Sequence, residues 1–245
     1  KTSISPTEMI NLLTRREKEY KDWTYRSLEE LSYEDRWGQF LLPDYPQDFI
    51  RQNAARLQAW WSDARGKRWI SLQTIQTLQE LKHRGYTLGT VSHTSTRYLD
   101  DAGIRDLFKT TLQAADFGKR KPHPAPFIAA ARGCGVSPAE CAYIGDRPSR
   151  DVIGSREAGI GQVVIITPPG DAREEVPCPM QADIIIRSLP EVLDYFPKVL
   201  WNAPAPHTEV APAKLYDAAL STMWWDKAAS SAAGFCAAGR RLGFA

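Results

Sequence analysis

A short apolar run, Cys141–Ile144, stops at Gly145-Asp146, and a second aspartate, Asp151, follows five positions later. Such a run is typical of a strand buried in a parallel sheet, and ligands of open α/β sheets bind beyond the carboxyl ends of the strands. Carboxylates at that edge are the oxygen ligands that Mg²⁺ prefers. Taken alone, the same residues also fit a turn aspartate followed by a helix-capping aspartate.

The chain from residue 71 onward constrains the fold further, because helical patterns there alternate with short apolar runs. Such alternation indicates right-handed βαβ units, and therefore an α/β fold with a parallel sheet and helices on both faces. Strands are predicted at Tyr86–Val91, Phe108–Gln113, Cys141–Ile144, Gln162–Thr167 and Asp183–Ile186, and helices at Leu72–Arg84, Thr96–Ala102, Pro124–Gly133, Asp151–Ala158 and Pro190–Phe196.

The two ends of the chain differ from this alternating core. The N-terminal part carries amphipathic helical patterns, broken at Pro43 and Pro46, and no convincing strand, which predicts an all-helical unit. A Pro- and Ala-rich stretch late in the chain is typical of an extended linker. We therefore divide the chain into a helical unit, an α/β core, a linker and a tail, at residues 1–68, 69–200, 201–213 and 214–245.

Composition excludes several classes of function. The net charge of +2 gives no electrostatic reason to expect binding to nucleic acid or to a membrane surface. Four widely spaced cysteines argue against a zinc site and against a disulfide framework. No apolar stretch reaches the length of a membrane span, and the first residues lack a signal-peptide pattern. We expect a cytoplasmic protein that binds neither nucleic acid nor membrane.

Three local signals occur in a fixed order along the core. Ser92 ends the strand predicted at Tyr86–Val91, the basic loop 119–124 contains Lys121 and leads into a helix, and Gly145-Asp146 is followed by Asp151. A small hydroxyl and an ammonium group can hold phosphate oxygens, and paired carboxylates can hold Mg²⁺. Together the three signals suit phosphoryl chemistry.

This order and spacing resemble the haloacid dehalogenase (HAD) superfamily. Its second motif, an apolar strand ending in Ser or Thr, is matched by Leu88–Ser92, and its third, a lysine often followed by proline, by Lys121-Pro122. Its fourth motif is matched by Gly145-Asp146 with Asp151. The resemblance covers roughly residues 1–197 and implies a Rossmannoid parallel sheet with the N-terminal helical unit as a cap over the active site.

The resemblance also implies roles for the matched residues. Ser92 would donate a hydrogen bond to the transferred phosphoryl group, and Lys121 would neutralise the phosphoryl oxygens. Asp146 would coordinate Mg²⁺, and Asp151 would be a second acid at the metal, either directly or through water. The implied function is a Mg²⁺-dependent phosphatase that forms an aspartyl-phosphate on a small phosphorylated metabolite.

The residues after Ser92 are weaker candidates. His93 stands where the family often has Asn, and His93 and Thr94 are candidates for substrate binding. A histidine in a loop is more commonly a surface or structural residue.

The family's first motif, a strand ending in Asp-x-Asp that supplies the nucleophile, has no match before Ser92. The nearest segment, Leu41–Tyr45, lacks the second aspartate and contains Pro43, so we reject it. We therefore expect a fragment that begins inside the cap, lacks a nucleophile, turns over no phosphate ester and binds Mg²⁺ weakly. We also expect a sheet without its central first strand, unless Leu41-Leu42 or the tail fills the gap.

The tail allows two interpretations. A strand at Ala219–Met223 and an Ala-rich helix at Lys227–Leu242 resemble the opening unit of a sugar-phosphate isomerase/epimerase barrel, which would make the chain part of a HAD–barrel fusion. Equally, the helix could dock on the α/β core. The alternative function is a non-catalytic HAD-like binding or regulatory module fused to such a barrel. The dehalogenase branch is disfavoured because it needs no metal site, and a receiver-like signalling domain is disfavoured by the helical cap.

Overall fold

The computed structural model describes residues 4–64, 70–93, 95–170, 180–199 and 235–238. The helices are α1 (Pro6–Ser27), α2 (Tyr33–Asp35), α3 (Gln47–Ala64), α4 (Leu72–His83), α5 (Arg97–Asp101), α6 (Ala125–Cys134) and α7 (Pro148–Glu157). The strands are β1 (Thr87–Ser92), β2 (Phe108–Gln113), β3 (Cys141–Gly145), β4 (Gln162–Ile166), β5 (Ile184–Ile186) and β6 (Phe235–Ala238).

The N-terminal residues form helices, as predicted. Helix α1 begins at a capping box in which Ser5 and Glu8 satisfy each other's backbone N–H groups, and it ends at Leu28, whose φ of 57° is in the left-handed region. A π-helical turn, Arg36–Leu41, lies between α2 and α3. These helices share a core of their own, made of Leu13, Trp37, Leu41, Leu42, Ile50 and Trp61. The boundary at residue 68 stays a prediction, because residues 65–69 lie outside the described part of the chain.

The α/β core is a six-stranded sheet in the order β2-β1-β6-β3-β4-β5. Strand β1 pairs with β2, β3 with β4, and β4 with β5, all in parallel. Alternate residues of these strands point to opposite faces. Ile144 packs in one apolar cluster with Leu78 of α4, whereas Tyr143 packs in the other with Phe127 of α6. The prediction of a parallel sheet with helices on both faces is thus confirmed, with one antiparallel exception.

The exception is β6, which corrects two expectations. It lies between β1 and β3 and runs antiparallel to both, with Phe235 opposite Thr90 on one side and Ile144 on the other. The central position of the sheet is therefore filled by the tail, and the helix predicted over Lys227–Leu242 is wrong at these four residues. Strands β1 and β3 would otherwise each leave a row of backbone N–H and C=O groups unpaired, and pairing with both edges outweighs the helix propensity of an Ala-rich segment.

Other predicted elements agree with the structure apart from their ends. The helix predicted at Pro190–Phe196 is a 3₁₀-helix at Leu189–Asp194. The linker at 201–213 and the strand predicted at Ala219–Met223 lie outside the described residues. Among the helices that the structure describes, none is long and apolar enough to cross a membrane.

Candidate functional site

Two of the predicted site segments lie at the same edge of the sheet. Because Thr90 of β1 and Ile144 of β3 both pair with Phe235, the two strands are in register across β6. Ser92 and Asp146, each two residues further on, therefore stand at the same level, roughly 10 Å apart across two strand spacings. This is the carboxyl edge of the parallel strands, where the sequence predicts the site.

Lys121 reaches this edge from the loop before α6 and joins the fourth motif. Its Nζ atom lies 2.5 Å from Oδ1 of Asp151 and donates a hydrogen bond to the hydroxyl of Tyr143 at 2.7 Å. The Tyr143 hydroxyl in turn donates to the same Asp151 oxygen at 3.0 Å. The Lys121 and Asp151 side chains are only 3% and 1% exposed, so this is a buried ion pair. An ammonium group has three donors, and these contacts use two of them.

Asp151 is held by further donors from the strand end. Its Oδ2 accepts hydrogen bonds from the backbone N–H groups of Asp146 at 3.1 Å and Arg147 at 2.9 Å. Residue 145 must be glycine for this approach, because a Cβ atom there would lie 2.4 Å from Cγ of Asp151. Burial alone would raise the pKa of Asp151, but the charge and hydrogen bond of Lys121, the backbone N–H of Arg147 and the charge of Arg150 outweigh it and lower the pKa. Both oxygens of this carboxylate are therefore committed to contacts inside the protein.

Asp146 is the less engaged carboxylate at the edge, with its Oδ2 atom 3.7 Å from Nε of Arg147. Burial and the neighbouring charge of Asp151 raise the pKa of Asp146 to about 7. Mg²⁺ needs several oxygen ligands in octahedral geometry. Within the described ranges, no three His, Cys, Asp or Glu side chains cluster in a way that could hold a metal ion. The described residues thus offer one carboxylate and do not by themselves make a magnesium site.

His93 follows Ser92 and contacts the residue that precedes Lys121. An Nη2 of Arg120 lies 3.2 Å from the Nδ1 of His93. The Nε2 atom of His93 is buried and has no hydrogen-bond partner among the described residues. Burial and the charges of Arg120, Lys121 and Arg150 lower the pKa of His93 well below its ordinary value, so the ring is neutral.

Arg120 also ties this edge to the N-terminal helices. Its Nη1 donates to Oε2 of Glu30 at 2.9 Å and to Oγ1 of Thr24 at 2.8 Å. The backbone repeats this connection, because Arg120 N donates to the Leu28 carbonyl at 2.9 Å and Glu30 N donates to the Gly118 carbonyl at 3.0 Å. We call residues 28–30 and 118–120 together the clasp.

The structure brings together five of the six predicted site residues: Ser92, His93, Lys121, Asp146 and Asp151 all lie at or beside the carboxyl edge. Thr94 lies outside the described residues.

The sequence does not predict three further residues that contact the site: Tyr143, Arg120 and Glu30. The tyrosine was hidden in an apolar run, where its hydroxyl gave no signal. Arg120 stood beside Lys121 in a basic loop, and nothing in the pattern separated a buried arginine from solvated ones. Glu30 gave no signal because its partner is 90 positions away.

Comparisons with known proteins find similar sequences among hydrolases. The profile of the haloacid dehalogenase-like hydrolase family matches residues 51–165. The glyceraldehyde 3-phosphate phosphatase of Methanopyrus kandleri is 37% identical over 95 residues, which are 37% of this chain and 41% of that protein. The phosphoglycolate phosphatase of Nitrosococcus oceani is 28% identical over 166 residues, covering 65% of this chain and 72% of that protein. The chain spans about half the length of most curated relatives that it matches.

A solved structure gives the same result for the fold. The 2-haloacid dehalogenase from Pseudomonas syringae pv. Tomato DC3000 superposes with a TM-score of 0.56 and 25% identity. The match covers 78% of this chain and 80% of that one. The likeness thus extends well beyond the residues matched by the family profile.

Proposed function

Because residues 51–165 match the model of the haloacid dehalogenase-like hydrolase family, we propose that the protein is a phosphatase for a small phosphorylated metabolite. This chain would supply the phosphate-binding half of the active site. The observation that carries the proposal is the buried Lys121, whose ammonium group is fixed by Asp151 and Tyr143 at the carboxyl edge of the sheet. Two curated relatives named as phosphatases of small phosphorylated compounds support the choice of reaction.

Each residue has a role in this proposal. After its contacts with the described residues, Lys121 keeps one N–H donor for a phosphoryl oxygen, and its charge offsets the charge of that group. The Ser92 hydroxyl, at the end of β1, donates to a second oxygen. Asp151 acts through Lys121, because both of its oxygens are already engaged.

The proposed reaction also needs a metal ion and a nucleophile. Asp146 would be one oxygen ligand of Mg²⁺, which would offset the charge of the phosphoryl group. With that single carboxylate, we expect this chain to bind Mg²⁺ weakly. The aspartate that attacks phosphorus would come from an Asp-x-Asp strand encoded before Lys1, and in the whole protein that strand would take the place between β1 and β3 that β6 occupies here. Reading the DNA upstream of Lys1 in frame tests this part, and an upstream sequence without such a strand would contradict it.

Phosphate binding by this chain is the direct test. Titration calorimetry with inorganic phosphate should give saturable binding, and Ser92→Ala should weaken it about tenfold, since a hydrogen bond to a charged group is worth about 1.5–3 kcal/mol. Thr90→Ala is the matched control, because it removes a buried hydroxyl from the same face of β1, two residues further from the edge. A wild-type chain that shows no saturable phosphate binding would overturn the proposal.

Activity should be measured on the protein translated from the whole reading frame. We expect hydrolysis of phosphoglycolate or glyceraldehyde 3-phosphate to release phosphate, with a rate that depends on added Mg²⁺. A protein that carries the upstream strand, binds phosphate and still hydrolyses neither compound would point to a different phosphorylated substrate.

Two other functions are separated by the same measurements. Dehalogenation of a 2-haloacid is favoured by the structural neighbour, and it predicts halide release without phosphate binding. A non-catalytic module predicts phosphate binding and no hydrolysis by the whole protein. The fused barrel gains no support, because the family match ends at residue 165 and β6 belongs to the α/β sheet.

A further inference from the structure

The hydrogen bonds of His93 determine which ring nitrogen carries the proton. A guanidinium group can only donate hydrogen bonds, so the Nδ1 that faces Arg120 at 3.2 Å must accept one. A ring that accepts at Nδ1 is neutral and bears its hydrogen on Nε2. The low pKa of His93 agrees with this assignment.

The Nε2–H group is therefore a buried donor that lacks an acceptor in the described part of the chain. Leaving such a donor unsatisfied is unfavourable, and an incoming acceptor would remove that cost. The charged groups near the ring are the cations Arg120, Lys121 and Arg150, so the acceptor that fits is an anion. His93 also directly follows Ser92 on the chain, at the edge where the phosphoryl group is expected.

We propose that the His93 Nε2–H donates a hydrogen bond to an oxygen of the bound phosphoryl group, and that the Glu30–Arg120 pair is the positioning device that holds the ring for this contact. The inference rests on the proposed function, since it adds a third donor to the phosphate site formed by Ser92 and Lys121.

The positioning depends on both arms of one guanidinium. Nη1 of Arg120 binds Glu30 and Thr24, while Nη2 faces His93. The two backbone hydrogen bonds of the clasp fix the base of the same side chain. The segment that leaves helix α1 therefore sets the orientation of a donor at the sheet edge, which links the placement of the helices to phosphate binding.

Two substitutions at residue 93 separate the roles of its two nitrogens. The amide nitrogen of glutamine takes roughly the place of Nε2, whereas the shorter asparagine reaches only the place of Nδ1. In calorimetry of the full chain with inorganic phosphate, we expect His93→Gln to bind within about threefold of wild type. We expect His93→Asn to bind about tenfold more weakly. His123→Gln, in the loop after Lys121, is the control and should leave binding unchanged.

The tautomer can be measured without any ligand. The chain has only four histidines, so long-range ¹H–¹⁵N NMR of histidine-labelled protein can resolve each ring. We expect His93 to be neutral, with hydrogen on Nε2, and its Nε2–H resonance to move when inorganic phosphate is added. Arg120→Lys should mix the two tautomers and weaken phosphate binding, because a single ammonium group cannot contact both Glu30 and His93.

Each failure has a distinct signature. If Ser92→Ala weakens phosphate binding while His93→Asn does not, the proposed function stands and this inference is wrong. Hydrogen on Nδ1, or a charged ring at neutral pH, would overturn the positioning by Arg120. A defect of His93→Asn with phosphoglycolate but not with inorganic phosphate would show that His93 contacts another part of the substrate. Absence of phosphate binding by the wild-type chain would overturn both proposals.

Discussion

Arg120 and Lys121 are neighbours on the chain, yet they serve different regions of the molecule. The Arg120 side chain joins Glu30 after α1, and the Lys121 side chain joins Asp151 on α7. Both pairs are buried, with side chains at most 7% exposed. A single loop thus ties the sheet edge to the N-terminal helices and organises the edge itself. Position along the chain does not indicate which of the two basic residues pairs with the N-terminal helices and which pairs at the sheet edge.

The carboxyl groups of Asp151 and Glu30, which pair with Lys121 and Arg120, also differ in pKa. Asp151 has a lowered pKa, because Lys121, the backbone N–H of Arg147 and the charge of Arg150 outweigh the effect of burial. Glu30 has a raised pKa, because burial outweighs the charge of Arg120 and the hydrogen bond from Tyr20. The first carboxylate is firmly ionised, whereas the second can take up a proton at moderate cost. Replacing Lys121 and replacing Arg120 should therefore lower the free energy of unfolding by different amounts.

The largest effect is expected for Lys121→Met. It leaves the nearly unexposed Asp151 carboxylate without its counter-charge, which costs about 3–5 kcal/mol in the free energy of unfolding. Urea denaturation followed by circular dichroism measures this loss. A loss below about 1 kcal/mol would mean that the backbone donors alone stabilise Asp151.

Arg120→Met should destabilise the chain less, by about 2–3 kcal/mol, because Glu30 can be protonated once its partner is gone. The double variant Glu30→Met with Arg120→Met is the control. It removes both charges, so its loss should be at least 1 kcal/mol smaller than the sum of the single losses. Additive losses would show that the pair does not couple the helices to the sheet edge.

Lowering the pH should reduce the difference in the free energy of unfolding between Arg120→Met and wild type. A carboxyl group with a raised pKa in the folded state favours folding below its unfolded pKa, and that contribution is lost as pH rises through the folded pKa. Without Arg120 the pKa of Glu30 rises further, so protonation should recover roughly 1 kcal/mol between about pH 8 and pH 5. The other charged or titratable groups that influence Glu30 are Glu17, Tyr20 and Arg36.

The measurement is urea denaturation of both proteins across that pH range. Glutamine at position 30 cannot ionise. In the Glu30→Gln background, the free energy of unfolding lost on Arg120→Met should therefore not vary with pH. A loss that varies equally in both backgrounds would assign the titration to another group.

The smallest effect is expected for Lys119→Met. This neighbouring cation pairs with Glu29, but the two side chains are 32% and 41% exposed. Exposed ion pairs contribute at most about 1 kcal/mol, so the free energy of unfolding should change by less than that. A larger loss would show that the pair is an essential part of the clasp.

The sequence could predict those features that depend on local pattern. The strand ends that carry Ser92 and Gly145-Asp146 follow from apolar runs that stop at turn-forming residues, and both predictions agree with the structure. The choice of Lys121 in the basic loop depends on the resemblance of Lys121-Pro122 to the family's third motif. Partners brought in from distant segments, such as Glu30 for Arg120, leave no local pattern and could not be identified this way.

The error at β6 has the same origin. An Ala-rich segment favours a helix in isolation, and only the two unpaired edges of β1 and β3 make a strand preferable there. Those edges are created by the tertiary structure, so no window of the sequence contains the information.

The pairing of β6 has a consequence for how the protein is made. Thr90 and Phe235 are partners in the sheet although roughly 145 positions separate them. Contacts between such distant residues form slowly during folding, because a long loop must close first. At ribosomal rates of about 5–20 residues per second, β1 and β3 are complete on the order of ten seconds before β6 exists. During that interval the nascent sheet consists of two halves with open edges. Edges of that kind pair readily with other chains, so this chain, when made without an upstream strand, should depend on chaperones until synthesis passes residue 238.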